Sequence, residues 1–250
     1  MATLFPAMRR AARIRVTPST VSTSEDSLPM AVTPTSADVK AGQASYTPIS
    51  LRFYDAMVYG LTCPVFWKVP RRELLRLYRR NVSTEHLDIG VGSGYLLHHT
   101  PLPVGQRITL FDMNPHCLEY VSRRLGRHDV ATCRGNVLEP FPLPQRSHDS
   151  AALNLMLHCV PGDFGYKGVA FDNAAACVRP GGTLFGSTVL SRGVPVTRRA
   201  RLALNRLNAV KGFNNTEDSL ADLDRELGKR FSEYKLTVHG CTALFEATVE

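Results

Sequence analysis

TEHLDIGVGSGYLL, running from Thr84 to Leu97, is the stretch on which the fold turns. Leu87 to Gly90 is a short apolar run entering three closely spaced glycines, Gly90, Gly92 and Gly94, and Tyr95, Leu96 and Leu97 open a new apolar element. The pattern predicts a buried parallel strand, a tight turn and a helix N-terminus. Glycine suits such a turn because a side chain would hold a ligand off the backbone and because the turn needs positive φ. The free N–H groups at a helix start can then donate to polar ligand atoms.

Two details narrow the class. The dinucleotide fingerprint G-x-G-x-x-G would need glycine where this chain has Tyr95, and an acid, Asp88, sits two residues before the first glycine. The LDIGVGSG run resembles the first motif of the class I S-adenosylmethionine (SAM)-dependent methyltransferases, and the resemblance continues to about Leu190. It implies SAM as cofactor, with Asp88 near its amino-acid end and Gly90, Gly92 and Gly94 around it. It says little of the acceptor.

Downstream, Arg107 to Phe111 reads as a second buried strand ending at Asp112 and Met113. An acid at that tip can accept from both ribose hydroxyls of a nucleotide. Asn114 to Gly126 reads as a helix, and Val130 to Arg134 as a third strand leading to Asn136 and Val137. In the resembling family that loop usually offers an acid to the adenine amino group. Here Asn136 stands there, and its amide oxygen can still accept while the Val137 N–H donates. Asp149 to Leu157 reads as the fourth strand, with Asn154 near its end on the cofactor side, followed by His158. A histidine at the carboxyl end of a strand in such a sheet is placed either as a general base or for packing. Phe164 to Val178 reads as a helix stopped by Arg179-Pro180-Gly181-Gly182, and Thr183 to Leu190 as the fifth strand.

The chain before and after this block supplies the candidate acceptor side. Residues 46–82 read as cap helices, and the resemblance makes Tyr54, Asp55, Tyr59 and Trp67 pocket candidates, each of which is otherwise a core aromatic or surface acid. Residues 191–231 read as a helical segment covering the pocket, with a helix from Arg198 to Val210, Phe213 in the loop, and a second helix after Thr216 carrying Glu217 and Asp218 in its first turn. Tyr234 to Val238 and Thr242 to Val249 read as a closing hairpin. The fold expected is therefore α/β, a Rossmann-like doubly wound sheet of seven strands with the last antiparallel, preceded by a helical cap.

Bulk composition bounds the rest. At 250 residues with 44% hydrophobic and 21% charged residues, the chain suits one sizeable globular domain at 46–250. Residues 1–45, rich in Ser, Thr and Pro, read as a disordered tail. No apolar run approaches the ~18 residues a membrane helix needs. Six scattered cysteines without C-x-x-C predict reduced thiols and no metal site, hence a cytoplasmic protein. An acid-free, arginine-bearing start (Arg9, Arg10, Arg13, Arg15) leaves a mitochondrial address as the alternative. The net charge of +8 raises nucleic acid as a partner. However, Asn154-Leu155-Met156 lacks the Asn/Asp-Pro-Pro-Tyr/Phe run of base-amine methylation, and Cys159 is followed rather than preceded by proline. The reading is methyl transfer from SAM to a small-molecule oxygen or nitrogen, as in secondary metabolism, with a SAM-binding regulator or scaffold as the alternative of another class. An NAD-binding Rossmann protein is a weaker alternative.

Overall fold

A computed structural model describes residues 13–14, 55–102 and 105–250. Eight strands form one sheet: β1 (Arg13–Ile14), β2 (Glu85–Ile89), β3 (Arg107–Asp112), β4 (Asp129–Arg134), β5 (His148–Asn154), β6 (Val178–Val189), β7 (Tyr234–His239) and β8 (Thr242–Thr248). Their order is β1-β7-β8-β6-β5-β2-β3-β4. The block β6-β5-β2-β3-β4 is parallel, and β8 runs antiparallel to both β6 and β7. This is the seven-stranded, doubly wound sheet that the sequence predicts, with β1 added at the β7 edge through Arg13 and Ile14. The chain reverses its direction of strand addition between β2 and β5, so a crevice opens beyond the carboxyl ends of those strands.

Helices cover both faces. On one side lie a π-helical segment (Ala56–Trp67), α1 (Arg71–Asn81), α2 (Tyr95–His98), α3 (Pro115–Arg124) and α6 (Arg198–Ala209), whose Trp67, Leu74, Leu97, Val121 and Leu204 share one core. On the other lie α4 (Phe164–Lys167), α5 (Val169–Ala176) and α7 (Leu220–Gly228), with Phe164, Phe171 and Leu223 in a second core. Local chemistry sets the boundaries. Asn114 caps α3 by accepting from the His116 N–H at 3.0 Å, with proline at the first helical position.

Several boundaries differ from the sequence reading. The fourth expected strand stops at Asn154 because Leu155 takes φ of 50°, a left-handed turn that ends pairing. The expected helix 164–178 is divided at Gly168. Arg179 to Gly182, expected as a helix stop, begins β6 beside a register shift against His148 and Ser150. The last helix starts at Leu220 with Ser219 as its cap, which leaves Asp218 outside it and fully buried. The expected disordered tail (1–45) lies outside the described residues apart from β1, as does Tyr54. All six cysteines are unpaired, and four of them are no more than 2% exposed.

Candidate active site

The carboxyl ends of β2, β3 and β5 and the loop after β4 enclose one cavity of about 1110 Å³, its open mouth included. Asp88, Gly90, Gly92, Gly94, Asp112, Met113, Asn136, Val137 and Asn154 all line it, and Tyr59 joins them from the π-helical segment. The topology thus brings together every residue that the sequence motifs assign to the cofactor.

The three glycines are glycine for different reasons. All have positive φ (69°, 52° and 65°). A Cβ at Gly90 would run into the Met156 side chain, and one at Gly94 would lie 2.5 Å from Val121 Cγ1. At Gly92 a Cβ would meet nothing within 4 Å. That open space lies over the turn, where a ligand approaching the backbone would sit, so the residues present fit a bound nucleotide-like cofactor.

Two carboxylates face this space, Asp88 buried and Asp112 half-buried. The Tyr78 hydroxyl donates to Asp88 at 3.2 Å (Oδ1) and 3.3 Å (Oδ2). Burial pushes the Asp88 carboxyl up to about 7; the Tyr78 hydrogen bond opposes that rise, and the Asp112 charge adds to it. Asp112 accepts the Asn114 N–H at 2.8 Å, and burial raises it to about 6 against the pull of four backbone N–H groups. Asn154 accepts from Ser187 Oγ at 2.8 Å, and its carboxamide faces the Tyr78 hydroxyl. At the far end, Asn136 Oδ1 accepts the Leu138 N–H at 3.1 Å while its Nδ2 donates to Glu139 at 3.0 Å. The side chain is therefore held in a turn before any ligand arrives.

A family model described as a methyltransferase domain matches residues 87–186. Demethylluteothin O-methyltransferase of Streptomyces thioluteus is 45% identical over 207 residues, spanning 82% of this chain and 90% of that protein. The chain belongs to the class I SAM-dependent methyltransferases. A second relative, the physcion biosynthesis cluster O-methyltransferase of Aspergillus chevalieri, is 32% identical over 209 residues, or 82% of the methyltransferase and 94% of the relative. In fold, the methyltransferase is like a solved Thermotoga maritima SAM-dependent enzyme described as a possible histamine N-methyltransferase. That likeness has a TM-score of 0.57 at 15% identity and covers 80% and 93% of the two chains.

The expected catalytic residue is not at the cavity of this methyltransferase. His158 is 4% exposed and does not line the cavity, although Met156, Cys159, Val160 and Pro161 around it do. Its Nδ1 accepts the Val189 N–H at 3.3 Å, and its ring packs on Phe213 with centroids 4.2 Å apart. Burial, and then the Lys167 charge, lower it to about 3, so it stays neutral. Trp67 and Phe213, expected at the acceptor, pack on each other at 5.7 Å away from the lining. Sequence reasoning assigns no role to Tyr78, Tyr95 or Met156, and all three line the cavity. The one signal for Tyr78 was a polar-tipped aromatic on the buried stripe of a helix, which needs a partner for its hydroxyl. It also missed the fully buried Lys167–Asp218 pair, with Nζ 2.8 and 2.7 Å from the two carboxylate oxygens and 2.8 Å from the Asn214 carbonyl.

Proposed function

We propose that the protein methylates a hydroxyl of a small, largely apolar acceptor, using SAM bound along the cavity floor. The observation that carries this is the convergence of all nine motif residues on one cavity whose glycine turn leaves open space at Gly92. The oxygen acceptor is supported by the names of the two relatives above. In this reading, Asp112 accepts from the ribose hydroxyls, Asn136 and Val137 hold the adenine, and Asp88 with Asn154 faces the amino-acid end. Met113 packs against the nucleoside. Bound SAM supplies a methyl group already activated by its sulfonium.

What remains for the chain is alignment and the exclusion of water. Tyr59, Leu155, Met156, Val160 and Pro161 offer an acceptor an apolar wall. All eight histidines lie among the described residues and none lines the cavity. We therefore assign no imidazole base: the acceptor hydroxyl loses its proton to solvent according to its own acidity, and the chain holds the resulting oxygen in line. Calorimetry with SAM, followed by labelled SAM with phenols and enols of graded acidity, tests both parts. The midpoint of the pH–rate profile should move with the acceptor's pKa. A midpoint that stays fixed across acceptors would show an enzyme base at work, and a native chain that does not bind SAM would end the whole reading.

A further inference from the structure

A cluster beyond the cofactor set fastens the cap to the glycine turn. The Asp55 carboxylate accepts from Ser93 Oγ at 2.5 Å and from Arg124 Nη1 at 2.7 Å, and the same Nη1 donates to the Ser93 carbonyl at 3.0 Å. Asp55 immediately precedes the π-helical segment, Ser93 sits between Gly92 and Gly94, and Arg124 ends α3. Three elements therefore meet at one carboxylate. Ser93 is 1% exposed, and the ion pair's side chains are only 16% (Arg124) and 21% (Asp55) exposed. Shielded, charge-assisted bonds of this kind are stronger than surface pairs.

A second fastening lies four residues further on. The Tyr59 ring stacks on Tyr95 with centroids 4.3 Å apart and planes 18° apart, and the Arg124 guanidinium lies 5.9 Å from the Tyr95 ring centre. Arg71 Nη1 holds the Tyr95 hydroxyl at 2.8 Å. Both tyrosines line the cavity, so the cap segment borders the space that the cofactor reading fills. A turn of alternating glycines has little stiffness of its own. The one polar side chain inside it, Ser93, is bound to the cap. The cap in turn is a π-helical stretch with Pro64 within it, a backbone form that is rare and concentrated at functional sites.

We propose that Asp55 is a positioning residue of the cofactor site: it clamps the cap onto the glycine turn, so that cofactor exchange requires the Asp55–Ser93–Arg124 cluster to release. The proposal rests on the SAM reading above. Trp67, the chain's single tryptophan, ends the same segment and packs on Phe213, so its fluorescence reports the cap directly.

The test is stopped-flow mixing of the full chain with SAM, and displacement of SAM by excess S-adenosylhomocysteine, well below the melting temperature. The near-isosteric Asp55→Asn should raise both the association and the dissociation rate, the latter about tenfold, with Kd changing less. Arg124→Gln should do the same, and the double variant should add little to either, because both remove one cluster. Unchanged exchange rates in both single variants would overturn the proposal whatever happens to stability. So would a faster dissociation with unchanged association, which would mean a lost contact and not a clamp. If the native chain does not bind SAM, the cofactor reading fails first and the clamp with it.

Discussion

At the scale of single residues, the two cavity carboxylates make opposite demands on binding and stability. Asp112→Ala removes a charge-assisted acceptor and should weaken SAM binding by ~1.5–3 kcal/mol in calorimetry. Gly92→Val should weaken it further, since its branched side chain would fill the one open position of the turn and strain a φ of 52°. Asp88 has a folded-state carboxyl raised to about 7 from an ordinary 3.8. The folded protein therefore holds that proton where the unfolded chain has lost it, and stability falls as pH rises from about 4 through about 7. Asp88→Asn keeps an acceptor for Tyr78 without the charge. Melted without cofactor, it should exceed the native protein by a few degrees at pH 8 and by almost nothing at pH 4. A gap independent of pH would remove the buried charge from this account. These residues were legible in the sequence because each lies in a local motif. His158 and Phe213 were not, because their orientation is set by Val189 and by one another, 31 and 55 positions away from His158.

At the scale of elements, the loop from α6 to α7 is tied under the cavity rim by a buried ion pair. Lys167 on α4 reaches Asp218, while the Asn214 N–H donates to the His158 carbonyl at 2.7 Å and Asn214 Nδ2 to the Cys159 carbonyl at 3.0 Å. Lys167→Met would leave the Asp218 carboxyl buried without its partner, pushed by burial toward its protonated form, and should cost ~3–5 kcal/mol in denaturant unfolding. Lys167→Met with Asp218→Leu should recover much of that loss. If the double variant is no better than the single, the loop depends on the pair for its position and not only for charge balance. His158→Ala belongs to the same assembly. It should lower stability by ~2–4 kcal/mol through a lost ring contact and an orphaned Val189 N–H, and leave the shape of the pH–rate profile unchanged. Strands β2 to β8 were readable, apart from their ends, because most are apolar runs closed by a turn residue; β1, within the Ser/Thr/Pro-rich start, was not. The helix after Thr216 was misplaced because acids there look like a helix first turn, and only the distant Lys167 reveals that Asp218 is a core residue.

For the whole molecule, several of the basic side chains are engaged by neighbours, mostly at the surface. Arg71 serves Tyr95, Arg76 pairs with Glu73 at 2.6 Å, and Arg80 and Lys235 share Glu246. Among the described residues, no helix is long and apolar enough to cross a membrane. Deleting residues 1–45 should leave SAM affinity unchanged and shift the melting temperature by only a few degrees, since β1 contributes two residues at the edge of the sheet. A larger loss would assign the segment a docking role. The thiols have a different consequence. Burial holds Cys63 and Cys159 at about 12 and Cys177 and Cys241 at about 11, and raises Cys117 and Cys133 as well. Thiolate is the form that alkylating reagents and air attack. A six-cysteine enzyme would ordinarily need reductant on the bench; this one should keep its mass in aerated buffer for as long as it stays folded. Under iodoacetamide, each carbamidomethyl group added at Cys63, Cys117, Cys177 or Cys241, the four thiols no more than 2% exposed, would then record an opening of the chain, so that a mass spectrum serves as a clock of unfolding.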